Sequence, residues 1–101
     1  MWKRERGGGL FIGTCKVTLR ADWCGSLKDK RSVVKSLLER CKKFNVAIAE
    51  VDALDEHHTI VLGFACVSNE RRHVDAILQT VARFIESHTD ATVEGVEMEI
   101  Y

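Results

Sequence analysis

The apolar residues of this chain change their spacing in a definite order, and that order constrains the fold more than any single motif. Over residues 10–20 they alternate: Phe11, Cys15, Val17 and Leu19 point one way, and Thr14, Lys16, Thr18 and Arg20 the other. A period of two is that of a half-buried strand. Cys24-Gly25-Ser26 breaks the pattern, and Ser26 followed three residues later by Asp29 reads as a capping box with Asp in place of Glu or Gln. From Leu27 the spacing becomes helical, through Val34, Leu37, Leu38, Cys41 and Phe44. A second strand is expected over residues 46–53 and a turn over 54–57. A third strand over 59–67 is apolar on both faces, which suggests a central position. Ser68-Asn69 is read as the cap of a second helix, whose stripe is Val74, Ile77, Leu78, Val81, Phe84 and Ile85. Residues 92–101 alternate again, with Val96, Met98 and Ile100 opposite Glu97, Glu99 and Tyr101.

The order β-α-β-β-α-β, with no proline in the chain, predicts an α+β ferredoxin-like sandwich. It has a four-stranded antiparallel sheet in spatial order 4-1-3-2 and two helices on one face. Right-handed crossovers are expected to set the first and third strands side by side, and that pair is read as parallel. One domain is expected over residues 10–101, preceded by a flexible arm, 1–9, that ends in Gly7-Gly8-Gly9.

Fifteen Lys and Arg balance fifteen Asp and Glu, so no global field draws the protein onto nucleic acid or a membrane. Any such binding must come from a local patch. Cys15, Cys24, Cys41 and Cys66 show no C-x-x-C spacing, and Cys15, Cys41 and Cys66 fall in apolar runs or on a helix stripe. Reduced thiols in a cytoplasm are the simplest account. The first ten residues are too charged for a secretory signal, and no apolar run approaches a membrane span in length.

Several strings together resemble one family. Ser26-Leu27-Lys28-Asp29-Lys30-Arg31 opens the first helix, and residues 44–52, FNVAIAEVD, form the second strand. Ser68-Asn69 precedes the second helix, and His73-Val74 lies inside it. Over residues 10–101 the chain resembles the YlxP-like family, small bacterial proteins of unknown function. The resemblance implies a ferredoxin-like fold. It also implies a setting beside genes for translation and ribosome maturation, hence a ribosome-linked role. Two departures stand out: the glycine-rich arm is extra, and Glu56-His57-His58 occupies a turn where members often carry an aromatic residue.

The first helix is the strongest candidate surface. Residues 28–43 hold seven bases against two acids, Asp29 and Glu39. Lys28, Arg31, Lys35 and Lys42 are expected on one face opposite the buried stripe, flanked by Lys30 and Arg40. Gly25-Ser26 at the helix start would add backbone N–H groups and the helix dipole. Gly25, Ser26, Lys28, Lys30, Arg31, Lys35 and Lys42 are therefore the candidate RNA- or phosphate-binding residues. The competing reading is a solvated helix face, since charge runs are usually only that. The open sheet face is expected to show Ile12, Thr14, Lys16, Thr18 and Arg20 with Glu50, Asp52, Glu97 and Glu99. Without an aromatic and with an excess of acid, it should not bind RNA as an RRM does. The apolar residues that strand three presents there suggest covering by a second subunit.

The other candidates are weaker. Cys24 before a helix start, near Lys28 and Lys30, has features that lower a thiol pKa, but no histidine is placed as its base, and it reads as an incidental loop thiol. Asp55, Glu56, His57 and His58 read as a polar turn, because adjacent strand histidines point to opposite faces and chelate poorly together. His73 is read as a capping or surface residue. His88 should suit the negative end of the second helix. Trp23 reads as a lid over the core edge, with stacking beside the basic helix as the alternative. No catalytic residue, metal or cofactor is expected. The favoured function is a non-enzymatic module associated with ribosomal RNA or ribosomal particles through the basic helix. The alternative is a homo-oligomeric interaction or regulatory module without nucleic acid.

Overall fold

The structure is a computed structural model and describes residues 9–101. The proposed arm, 1–9, lies outside the described residues except for Gly9. The elements are β1 (Phe11–Arg20), α1 (Leu27–Arg40), a 3-10 turn (Cys41–Lys43), β2 (Ala47–Asp52), β3 (Thr59–Ser68), α2 (Arg71–Ser87) and β4 (Thr92–Ile100). The sheet order is β2-β3-β1-β4. This is the four-stranded antiparallel sheet with two helices that the spacing predicts.

One pairing differs from expectation. β1 and β3 are antiparallel, with Cys15 opposite Phe64 and Val17 opposite Leu62. The reason is topological. A crossover helix leaves β2 parallel to β1, and the hairpin then reverses the chain, so β3 opposes both.

Period two sorts the strands as the sequence indicates. Cys15, Val17 and Leu19 of β1 and Ile60, Leu62, Phe64 and Cys66 of β3 are buried on the helix side. α2 closes over them with Val74, Leu78, Val81 and Ile85, each fully buried. Gly13 lies where α2 comes closest: a Cβ there would run into Val74 Cγ1 and Leu78. The N-cap of α2 is Glu70 rather than Ser68 or Asn69, and Glu70 makes no side-chain cap bond. Ser68 acts two residues before it. Its Oγ accepts from the Glu70 N–H at 3.2 Å and lies 3.1 Å from His73 Nδ1.

Candidate nucleic-acid interface

α1 starts as the sequence indicates. The Asp29 N–H donates to Ser26 Oγ at 3.1 Å, and the Gly25 N–H donates to Asp29 Oδ2 at 3.0 Å. This reciprocal box has a consequence for the candidate anion site. The Asp29 carboxylate already sits on the Gly25 N–H and against the positive end of the helix, so the Gly25 N–H and the Ser26 hydroxyl are engaged within the chain.

Lys30 is the largest correction. It is 1% exposed and points inward, not along the basic face. Its Nζ donates to the carbonyl oxygens of Ala53 and Glu56, each at 2.6 Å, and lies 2.9 Å from Glu50 Oε2. That Glu50 oxygen has no well-aligned hydrogen bond among the described residues, so the contact is chiefly electrostatic. A buried ammonium needs such surroundings, because an isolated charge there is costly. The clamp fastens α1 to the β2–β3 turn. Within that turn Ala53 takes a positive φ of 54°, and its N–H donates to Asp52 Oδ1 at 2.7 Å.

Lys28, Arg31, Lys35 and Lys42 are exposed. Arg31, Lys35 and Lys42 stand on the flank of the buried stripe that faces β2, and Lys28 lies outside that group. Arg31, Lys35 and Lys42 rim a groove of about 540 Å³ between α1 and β2, with Val34, Leu38, Cys41, Val46 and Ile48 along it and Glu50 at one end. The groove exists because α1 leans on the edge strand β2, whereas α2 covers the middle of the sheet. Lys42 is engaged by Glu39 at 2.9 Å. Lys28, Arg31 and Lys35 have no ion-pair partner among the described residues. Lys43 is held elsewhere, with its Nζ 4.2 Å from the Phe84 ring centre.

Glu50 is also displaced from its expected place. It pairs with Leu62 and so faces the helices, which removes one acid from the open sheet face. Asp52, Glu97 and Glu99 remain there against Lys16 and Arg20, and Lys16 is 3.4 Å from Glu97 Oε2.

The remaining candidates separate clearly. Cys24 is buried, and desolvation raises its pKa, opposite to the activated thiol its position suggests. Burial pushes Cys15 up to about 11 and also raises Cys41 and Cys66. His57 and His58 stack edge-on with ring centres 4.2 Å apart. Among the described residues no three His, Cys, Asp or Glu side chains converge as metal ligands. His88 stacks on Phe84 at 3.9 Å, and its Nδ1 lies 2.9 Å from the Phe84 carbonyl oxygen near the end of α2. Trp23 is 53% exposed, so it is not a lid. No described helix is long and apolar enough to cross a membrane.

The family described as "Protein of unknown function (DUF503)" matches residues 12–98. The chain belongs to this family. A Bacillus subtilis (strain 168) member, "Uncharacterized protein YlxP", is 44% identical over 64 residues, which is 62% of this chain and 70% of that protein. The family relationship read from the SLKDKR string and the two helix starts is thus shown. The matched stretch takes in both helices and nearly all of the four strands, so the basic rim and the Lys30 clamp lie inside it. Neither description names an activity, and the functional reading rests on the geometry.

Proposed function

We propose that this family member is a non-enzymatic module that binds the phosphate backbone of RNA, in a ribosomal setting, through α1. One observation carries the reading: Lys28, Arg31 and Lys35 stand exposed along α1 with no ion-pair partner among the described residues, and Lys42 lies beyond them, in a chain whose formal charge is zero. Cations on one helix flank meet a phosphate chain at several points and set its position without reading bases. Trp23 adds an exposed aromatic ahead of the helix, suited to stacking on an unpaired base. Lys30 drops out of the contact set because its ammonium is engaged within the fold, and Gly25 and Ser26 because the Gly25 N–H and the Ser26 hydroxyl are engaged and the Asp29 carboxylate stands at the helix start. The translation setting that the family resemblance implies points the same way, and so does a cytoplasm in which four buried, free thiols stay reduced.

The test is co-sedimentation with ribosomal particles in an extract of the native cells at low salt. Wild type should travel with the particles, whereas Lys28→Glu, Arg31→Glu and Lys35→Glu combined should stay at the top with an unchanged circular-dichroism spectrum. Equal sedimentation of the two proteins would leave α1 as a solvated face. The non-nucleic-acid interaction module would then be the better reading.

A further inference from the structure

The helices cover one side of the sheet. The other side is a relief of two unequal halves. On β2 and β3 the outward positions are small: Ala47, Ala49, Gly63 and Ala65. Gly63 has no room for a Cβ because Val51, set in the β2 bulge, lies across it at 2.9 Å. On β1 and β4 the outward positions in the same rows are Thr14, Lys16, Glu97 and Glu99, three of them long. A trough of about 540 Å³ runs over the small half, walled on one side by these long side chains. Apolar groups stand around it in water, with Ile12 39%, Val51 52% and Val67 59% exposed.

We propose that this face is the contact between two copies of the chain, related by a two-fold axis that runs along the strands. A low half beside a high half is self-complementary under that operation: the Lys16–Glu97–Glu99 ridge of each copy seats in the Ala/Gly trough of the other. The contact is isologous and closes at a dimer. The long side chains bring apolar stems to the trough floor and keep their charged ends toward the rim. Four strands at about 4.8 Å spacing and about 3.3 Å rise per residue give a face of roughly 500–600 Å² per copy. Two such faces remove roughly 1,000–1,200 Å², the lower bound for a specific interface. Lys16 and Glu97 pair within each copy, and Glu99 accepts from the Tyr101 hydroxyl and keeps its charge, so no attraction between opposite charges holds the copies together and salt should not weaken the association, unlike phosphate binding. The proposal does not rest on RNA binding. Together, though, the two place one basic α1 on each outer side of the dimer.

Sedimentation velocity of the full chain at rising concentration tests this directly. Wild type should reach twice the monomer mass and keep it in high salt. Ala49→Lys with Ala65→Lys should fill the trough and halve that mass. Val67→Lys alters a side chain already more than half exposed in the single chain, so it separates failure to associate from failure to fold, and it should also weaken the dimer. The triple reversal on α1 should leave the dimer intact. A wild type that stays monomeric at the highest concentration, or a dimer that survives both trough and Val67 substitutions with unchanged circular dichroism, would overturn the proposal.

Discussion

α1 and α2 occupy the same layer of one small fold but do different jobs. α2 lies over β1, β3 and β4 and buries Val74, Leu78, Val81 and Ile85 completely. α1 touches mainly the edge strand β2. It buries Val34 and Leu37, and at the third inward position it buries an ammonium group. Fixing a helix by apolar packing leaves its outer surface free of constraint but gives it no special place. α1 is fixed partly by a polar clamp at its start, and its bases overhang a groove rather than a packed seam. The difference shows how a neutral domain can hold one strongly basic surface without spreading charge through its core.

The largest expected effect lies on α2. Leu78→Ala should cost about 3–5 kcal/mol, because the side chain is fully buried against Gly13 and the sheet cannot collapse onto the void. Urea unfolding reads this. The half-buried Leu38 in the α1 groove gives the contrast, and Leu38→Ala should cost less than about 1.5 kcal/mol. Equal costs at the two sites would erase the distinction between the helices.

The clamp gives a somewhat smaller effect. Lys30→Met removes the partner of Glu50 and of two carbonyl oxygens, and should cost about 2–3 kcal/mol, discounted because Glu50 is partly wet. Glu50→Leu added to Lys30→Met should recover part of that cost, since an unpaired buried carboxylate is then gone. Strict additivity of the two substitutions would mean that the pair is not coupled in the folded state.

The clamp also marks what the sequence did and did not disclose. Strand and helix periods locate the four strands and both helices, though the helical spacing runs on through the 3-10 turn Cys41–Lys43, and the hairpin between β2 and β3 sets the sheet direction once followed through. The candidate site was only partly legible. Leu27, Lys30, Val34, Leu37 and Cys41 recur at spacings of three and four, so Lys30 stands on the buried stripe. Its place in a run of bases masks that position. Its partners could not be read in the same way. They are two carbonyls at a turn more than twenty residues away, and a Glu50 whose inward side depends on the register of β2 against β3. Asp29, read as a cap, also occupies the anion site that the bare helix start would offer, and nothing in a one-residue-at-a-time reading sets those two roles against each other.

Whether the exposed bases of α1 meet phosphates is read most directly from the salt dependence of binding to a structured RNA. The logarithm of the association constant is followed against the logarithm of salt concentration. Each phosphate neutralised by the protein adds about one to the steepness of that line. Lys28→Glu, Arg31→Glu and Lys35→Glu combined should flatten the slope by about three and reduce affinity most at low salt. A triple variant with the wild-type slope and affinity would contradict phosphate binding by α1, because the only dense basic surface among the described residues would then take no part.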